Sequence, residues 1–330
     1  MKKLRWGLLS TAHINRRLIP AIRSSQRSEL MAVASRNIQR ATEYARQWNI
    51  PLAFGSYEAM LDSPEIDAVY ISLPNHLHAA WSIQALKSGK HVLCEKPIAL
   101  SVDELDEMEM TSQDSGRVLA EALMYQYHPQ TKIALDLLQA GKIGRVFHTL
   151  GIFTFKHSRD EDYRLLPDQG GGSLWDIGIY PISFIRAIFQ RLPDQVLGKE
   201  IRGSTGVDMS FWGELLYETT RGSGQFFCSF ETPYTTGMVI FGETGRIEIP
   251  LPFTGMQEGG QVLVYDIDGK QTVISVEKKD PYLCEIEGFE AAVFGEKPLA
   301  VSLAHSRDHI RTINALRISS QTGNPVNLAG

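Results

Sequence analysis

The strictest constraint on this chain is a regular alternation of apolar strands and amphipathic helices between Leu4 and Ala122. Residues 4–9, 30–35, 68–72, 91–94 and 118–122 are short, apolar and strand-like. Between them, Ile14, Leu18, Ile19 and Ile22 recur at helical spacing, as do Ala41, Tyr44, Ala45 and Trp48. Residues 79–86 form a further helical run that stops at Ser88-Gly89-Lys90, and Ser101-Val102-Asp103-Glu104 has capping-box spacing. This alternation predicts a parallel, doubly wound sheet of the Rossmann type. Such sheets bind ligands at the carboxyl ends of their strands. Ser10, Ser35, Leu73-Pro74-Asn75 and Glu95-Lys96 all fall there.

After Ala122 the pattern changes. Residues 129–140 are amphipathic and end at Gly141. Strand-like runs then dominate, at 146–155, 211–217, 225–230, 237–241, 246–249, 262–265 and 272–276, with helical runs at 285–294 and 302–320. These read as a large, mostly antiparallel sheet in an α+β domain. The expected division is a dinucleotide-binding domain over 1–123 and a substrate-binding and oligomerisation domain over 124–330. A sheet face without helical cover suits a subunit interface, so a homodimer or higher homo-oligomer is expected.

Composition excludes several classes. The 330 residues are 43% hydrophobic and 22% charged, as in an ordinary soluble protein. A net charge of -5 gives no footprint for nucleic acid. No apolar run reaches membrane-spanning length, and the start has too few apolar residues for a signal peptide. Three scattered cysteines, Cys94, Cys228 and Cys284, suit a reducing cytoplasm rather than a disulfide framework.

The turn after the first strand should let a diphosphate approach backbone N–H groups at a helix start. Where Gly-x-Gly-x-x-Gly is usual, this chain has Ser10-Thr11-Ala12-His13-Ile14-Asn15. Ser10 and Ala12 are small, and a serine hydroxyl can donate to a phosphate, so residues 10–14 are expected to bind a dinucleotide. The second strand ends in Ser35-Arg36-Asn37, with Arg40 one turn on and no carboxylate for a ribose 2′-hydroxyl. A hydroxyl and two guanidinium groups suit a 2′-phosphate, which predicts NADP, with NAD also admitted.

The chemistry concentrates in two motifs. Cys94-Glu95-Lys96-Pro97 ends a strand, and Asp176-Ile177-Gly178-Ile179-Tyr180 follows Gly170-Gly171-Gly172. Asp176 and Tyr180 are four apart and share one face if helical. An isolated tyrosine is a poor base at neutral pH, and a nearby ammonium corrects this. Lys96 and Tyr180 together suit proton transfer on an alcohol. Tyr163, Arg164 and Trp175 flank the glycines and are expected to border nicotinamide or substrate. His76 and His78 lack clustered cysteine or carboxylate partners, so no metal is expected. His78 is placed near the cofactor, and His128 either borders the pocket or is structural.

Taken in order, these residues resemble the Gfo/Idh/MocA family of sugar-related oxidoreductases. The resemblance runs through Trp6-Gly7-Leu8-Leu9-Ser10-Thr11-Ala12, Ser35-Arg36, Leu73-Pro74-Asn75-His76-Leu77-His78, Gly89-Lys90-His91-Val92-Leu93-Cys94-Glu95-Lys96-Pro97, Glu121-Ala122-Leu123-Met124-Tyr125 and Gly170-Gly171-Gly172-Ser173-Leu174-Trp175-Asp176-Ile177-Gly178-Ile179-Tyr180-Pro181. It is most similar to the dihydrodiol dehydrogenase and D-xylose dehydrogenase branch, which typically uses NADP. The resemblance implies that Lys96 bridges the nicotinamide ribose and a substrate hydroxyl. It makes Tyr180, where many relatives have histidine, the general acid/base. Asp176 would orient substrate, with Tyr125, Tyr163 and Trp175 lining its site. The chain departs from the commoner pattern in lacking the turn glycines and that histidine.

The expected activity is hydride transfer between NADP and a hydroxyl carbon of a sugar, polyol or cyclic diol. Two rivals are a nicotinamide-binding sensor without turnover and a redox-assisted glycosidase.

Overall fold

The computed structural model describes residues 3–158 and 162–328. They form two compact units: residues through Met124 together with Asp280–Ser306, and Tyr125–Lys279 together with the residues from Arg307 onward.

The first unit alternates β1 (Leu4–Leu9), α1 (Asn15–Ser24), β2 (Ser28–Ala34), α2 (Ile38–Trp48), β3 (Leu52–Phe54), α3 (Tyr57–Leu61), β4 (Ala68–Ile71), α4 (His78–Lys87), β5 (His91–Glu95), α5 (Val102–Ser115) and β6 (Leu119–Ala122). All six strands are parallel, in the order β3-β2-β1-β4-β5-β6. The order reverses between β1 and β4, where such sheets open a ligand crevice. The central strands are covered on both faces, which is why β4 is wholly buried and reads as unbroken apolar sequence. Ser101 and Glu104 form the expected capping box at the start of α5.

In the second unit α6 (Pro129–Gln139) precedes β7 (Val146–Thr154), α7 (Ile179–Phe189), β8 (Gln195–Arg202), β9 (Asp208–Tyr217), β10 (Gly222–Ser229), β11 (Thr235–Gly242), β12 (Gly245–Ile249), β13 (Gly260–Asp266) and β14 (Gln271–Val276). The chain then forms α8 (Pro281–Val293), α9 (Leu303–Thr322) and β15 (Val326–Asn327). Nine strands make one sheet, β14-β13-β12-β11-β7-β10-β9-β8-β15, antiparallel except where β7 meets β10. α7 lies close against this sheet because glycines open its surface. A Cβ on Gly151 would come within 2.6 Å of Pro181, and one on Gly224 within 2.6 Å of Ile185. The other face carries Trp212 and Leu150, 43% and 39% exposed. Trp212, Phe227 and Ile152 are register partners across β9, β10 and β7, and Leu150 pairs with Val239 of β11.

The units are not sequential blocks, because α8 belongs to the first. Ile286 and Phe289 enter its core beside Leu4, Trp6 and Leu18, and the Phe289 ring lies 5.1 Å from that of Trp6. The buried carboxylate of Glu290 accepts the hydroxyls of Ser25 and Ser28. Sequence periodicity missed β3, β8 and β15. β3 has three residues and β15 two, while β8 carries lysine, glutamate and arginine among its eight. Among the described residues no helix is long and apolar enough to cross a membrane.

Candidate active site

The turn after β1 takes up a conformation typical of a glycine-rich turn, without glycine. Ser10 has φ of 137°, a region glycine enters at little cost and serine rarely occupies. Hydrogen bonds hold it there. Its hydroxyl lies 2.9 Å from that of Ser72 and 3.1 Å from the Ser72 carbonyl, and it accepts the Ala12 N–H at 3.1 Å. Asn15 donates to the Ser10 carbonyl and accepts the Ser72 hydroxyl, both at 2.8 Å. The Ser10 side chain thus shapes the turn from within rather than presenting itself to a phosphate. Thr11, Ala12 and Ile14 are partly exposed and His13 is exposed at the start of α1, an arrangement that fits a dinucleotide diphosphate.

At the end of β2, Ser35 is buried while Arg36 and Arg40 are exposed. Asn37 caps α2 by accepting the Arg40 N–H at 3.0 Å. Both arginines lie close enough to Tyr57 to draw its pKa down, although burial raises it overall. Arg40 lines a cleft with Thr11, Glu43 and Tyr44, so the turn after β1 and the start of α2 border the same space.

The ends of β4 and β5 are bound together. Tyr70 donates its hydroxyl to Glu95, whose other oxygen accepts the Lys96 N–H at 3.2 Å. Burial, then Glu95, holds the Tyr70 phenol well above its usual pKa. Asn75 is buried and Pro74 partly so. His78 is fully buried and reaches the carbonyls of Leu73 and Pro97. Glu121 accepts the Ile98 N–H at 3.1 Å and the Ser306 hydroxyl at 2.7 Å. Lys96 is half-buried. Sequence reasoning missed Glu285, a buried acid on α8 whose pKa is raised by burial and by Glu95. It lies 190 positions past Glu95 in the chain, and no local pattern marks it.

In the second unit, Asp176 and Tyr180 are joined by a π-helical turn, Leu174–Gly178, and not by the regular helix their spacing suggested. Pro181 has no N–H for the Ile177 carbonyl, so an unbroken α-ladder cannot run into α7. Such turns recur at functional sites. Asp176 is buried and accepts Arg164 Nε at 2.7 Å. Arg164 also reaches Asp162 at 3.2 Å, and its cation lies over the Tyr163 ring. Burial works against the Arg164 charge, but Asp176, Tyr163 and Asp162 together raise its pKa above the ordinary value. The guanidinium expected at the cofactor is therefore engaged with two carboxylates, and one of them is Asp176. Tyr180 packs against Tyr125, Phe153 and Phe253 at ring separations of 5.9, 5.2 and 5.6 Å. Trp175 and Tyr125 are buried rather than lining an open pocket, and the Tyr125 hydroxyl lies 2.7 Å from that of Ser183. His128 is likewise buried and caps α6 through the Gln130 N–H. Among the described residues no cluster of histidine, cysteine and acidic side chains could hold a metal.

Residues 4–123 match the NAD-binding Rossmann domain of the GFO/IDH/MocA oxidoreductase family, and residues 132–248 match the GFO/IDH/MocA C-terminal domain. The chain belongs to the Gfo/Idh/MocA family. It is 38% identical to a D-xylose 1-dehydrogenase (NADP(+)) of Haloferax volcanii, over 98% of this chain and 99% of that protein. It is 32% identical to the trans-1,2-dihydrobenzene-1,2-diol dehydrogenase of Sus scrofa, over 74% of each. Among solved structures, the 3-ketoreductase KijD10 of Actinomadura kijaniata, determined with NADP and TDP-benzene, superposes with a TM-score of 0.87 at 28% identity, covering 96% of this chain and 98% of that one. The chain is a nicotinamide-dependent oxidoreductase.

The glycine segment before the π turn is held by a buried acid. A Cβ on Gly172, at φ of 113°, would fall 2.0 Å from Asp208 Oδ1. Asp208 Oδ2 accepts the Leu174 N–H at 2.7 Å and the Ser173 hydroxyl at 2.8 Å. Burial pushes the Asp208 carboxyl up to about 6, against these two donors, which favour the carboxylate. The folded protein thus holds this proton more tightly than the unfolded chain does. That contribution to stability is fully present below the unfolded value of 3.8 and is lost as pH rises through about 6. Asp208→Asn keeps an acceptor oxygen and removes the titration. Denaturant unfolding from about pH 4 to 7 should show the wild type losing about 2–3 kcal/mol relative to the variant. Parallel pH dependences in the two proteins would contradict this.

Proposed function

We propose that this enzyme is an NADP-preferring dehydrogenase or reductase that moves a hydride between the cofactor and a hydroxyl carbon of a sugar, polyol or cyclic diol. The observation that carries this reading is the π turn that joins buried Asp176 to Tyr180, with Asp176 held by Arg164. The relatives that act on D-xylose and on a cyclic diol support the substrate class. A bound oxidised nicotinamide supplies the hydride acceptor. Tyr180 takes the hydroxyl proton in oxidation and returns it in reduction. Lys96 would bridge a substrate hydroxyl and the nicotinamide ribose, and Asp176 would orient the substrate. Ser35, Arg36 and Arg40 receive the 2′-phosphate, while residues 10–14, Leu73, Pro74, Asn75 and Glu95 contact the rest of the cofactor.

We further propose a homo-oligomer, at least a dimer, that buries the sheet face bearing Trp212, Phe227, Leu150 and Ile152. Isolated exposed apolar residues are ordinary, but a row of register partners suits an interface. None of the three buried cysteines forms a disulfide, which supports a reducing, cytoplasmic setting. Finding the protein in a secreted fraction would argue against that setting.

Three measurements test these readings. Tyr180→Phe and Lys96→Ala should each reduce turnover on a responsive sugar or diol by about a hundredfold or more, with NADP affinity far less changed in Tyr180→Phe. Near-normal turnover in Tyr180→Phe would assign the proton to another group. Arg36→Ala should weaken NADP by about tenfold or more and leave NAD almost untouched, because only the 2′-phosphate contact is lost. Equal losses for both cofactors would refute the assignment. Sedimentation of the wild type at micromolar concentration should show a mass above one chain, lowered by Trp212→Glu. A wild-type monomer throughout would end the oligomer proposal.

A further inference from the structure

His78 opens α4 and is fully buried. Its Nδ1 lies 2.7 Å from the Pro97 carbonyl oxygen, and its Nε2 lies 2.8 Å from the Leu73 carbonyl oxygen. Both partners are peptide carbonyls, which only accept. A neutral imidazole has one N–H and satisfies one of them, whereas the imidazolium satisfies both. This one ring therefore spans two backbone segments. The first is the end of β4, where turn 73–75 begins. The second is the turn after β5, where Pro97 directly follows Lys96. The ring has no exposed surface through which to meet substrate or cofactor, so any influence it has on the reaction passes through those two carbonyls.

We propose that His78 is a positioning residue for Lys96, fixing the Lys96-Pro97 turn to the Leu73-Pro74-Asn75 turn by holding one carbonyl from each. This rests on the role proposed above for Lys96. Two charged groups face the ring: Lys96 from the turn after β5, and Glu121 from β6. Burial draws the His78 pKa below its usual value and Lys96 adds to that, while the two carbonyls and Glu121 act in the opposite sense. The second N–H is therefore gained on acidification. Both carbonyls are held in acid, and one of the two bonds is given up as pH rises.

The test uses the full-length enzyme with two substitutions. His78→Leu fills the volume and donates nothing, and His78→Gln keeps a single donor nitrogen that does not titrate. Turnover and NADP affinity are measured between about pH 5 and 7.5, because burial places the His78 titration below its usual 6.5, alongside thermal unfolding. His78→Leu should lower kcat by about tenfold or more, since small displacements of a catalytic group cost rate steeply. His78→Gln should recover part of that loss. The ratio of wild-type to His78→Gln turnover should grow as pH falls, because only the wild type gains a second donor. Wild-type turnover in a folded His78→Leu, or a ratio independent of pH, would overturn the proposal. If His78→Leu does not fold, the His78→Gln ratio alone decides. Lys96→Ala separates the two layers of the argument. Full activity there removes the role of Lys96 itself, whereas an inactive Lys96→Ala beside a fully active His78→Leu removes only the clamp.

Discussion

The turn after β5 is tied down from three neighbouring elements, and the chemistry assigned to the first unit depends on those ties. Tyr70 on β4 reaches Glu95, His78 on α4 reaches the Pro97 carbonyl, and Glu121 on β6 accepts the Ile98 N–H. Tyr70 acts through the Glu95 carboxylate, which accepts the Lys96 N–H, while His78 and Glu121 bond directly to irregular backbone. Irregular backbone needs such partners, because no ladder satisfies its polar groups and burial makes unpaired ones costly. Lys96 sits in the middle of this segment. An ammonium on a flexible stem loses rotamer freedom whenever it is placed, so fixing its peptide on both sides reduces what remains to be ordered.

The second unit follows the same principle with charge. Arg164 and Asp176 are largely removed from water, which is expensive for either ion alone. The pair, with Asp162 as a second carboxylate, offsets that cost and sets the position of Asp176. At the other end of the π turn, Asp208 holds the Leu174 N–H and the Ser173 hydroxyl. One acid thus anchors where the turn begins, and another lies within it under the grip of Arg164. Truncating Arg164 would leave a buried carboxylate without its cation, so its effect on Asp176 should exceed the loss of one surface ion pair.

The alternation of strands and helices made the first sheet legible, because period-two and helical patterns differ over runs of this length. The mostly antiparallel second sheet was legible for the same reason. The membership of α8 was not. Ile286 and Phe289 read as an ordinary apolar face, and periodicity cannot say which core a face will enter. Lys96 in the first unit, and Asp176 and Tyr180 in the second, stood out by residue type beside a backbone constraint. Their partners did not. Spacing suggested a regular helix at Asp176, although Pro181, which offers no N–H to the Ile177 carbonyl, was the local sign against it. Arg164 is a charged residue on a loop, and the sequence placed it at nicotinamide or substrate, with nothing local to mark the ion pair it makes with Asp176.

The serine turn shows that a positive φ after β1 does not require glycine. The glycine-rich fingerprint meets two separable demands: a residue at positive φ, and a small residue where a diphosphate approaches the backbone. Ala12 answers the second by size. Ser10 answers the first at a conformational cost of about 1–3 kcal/mol. Its hydroxyl and carbonyl connect with Ser72 and Asn15, both buried, in a closed set of hydrogen bonds. Each such bond contributes about 1 kcal/mol net, so the set is of the right size to hold the strained serine. Ser72 follows β4, the strand beside β1 where the order of the sheet reverses. The support for the turn therefore comes from the sheet topology itself.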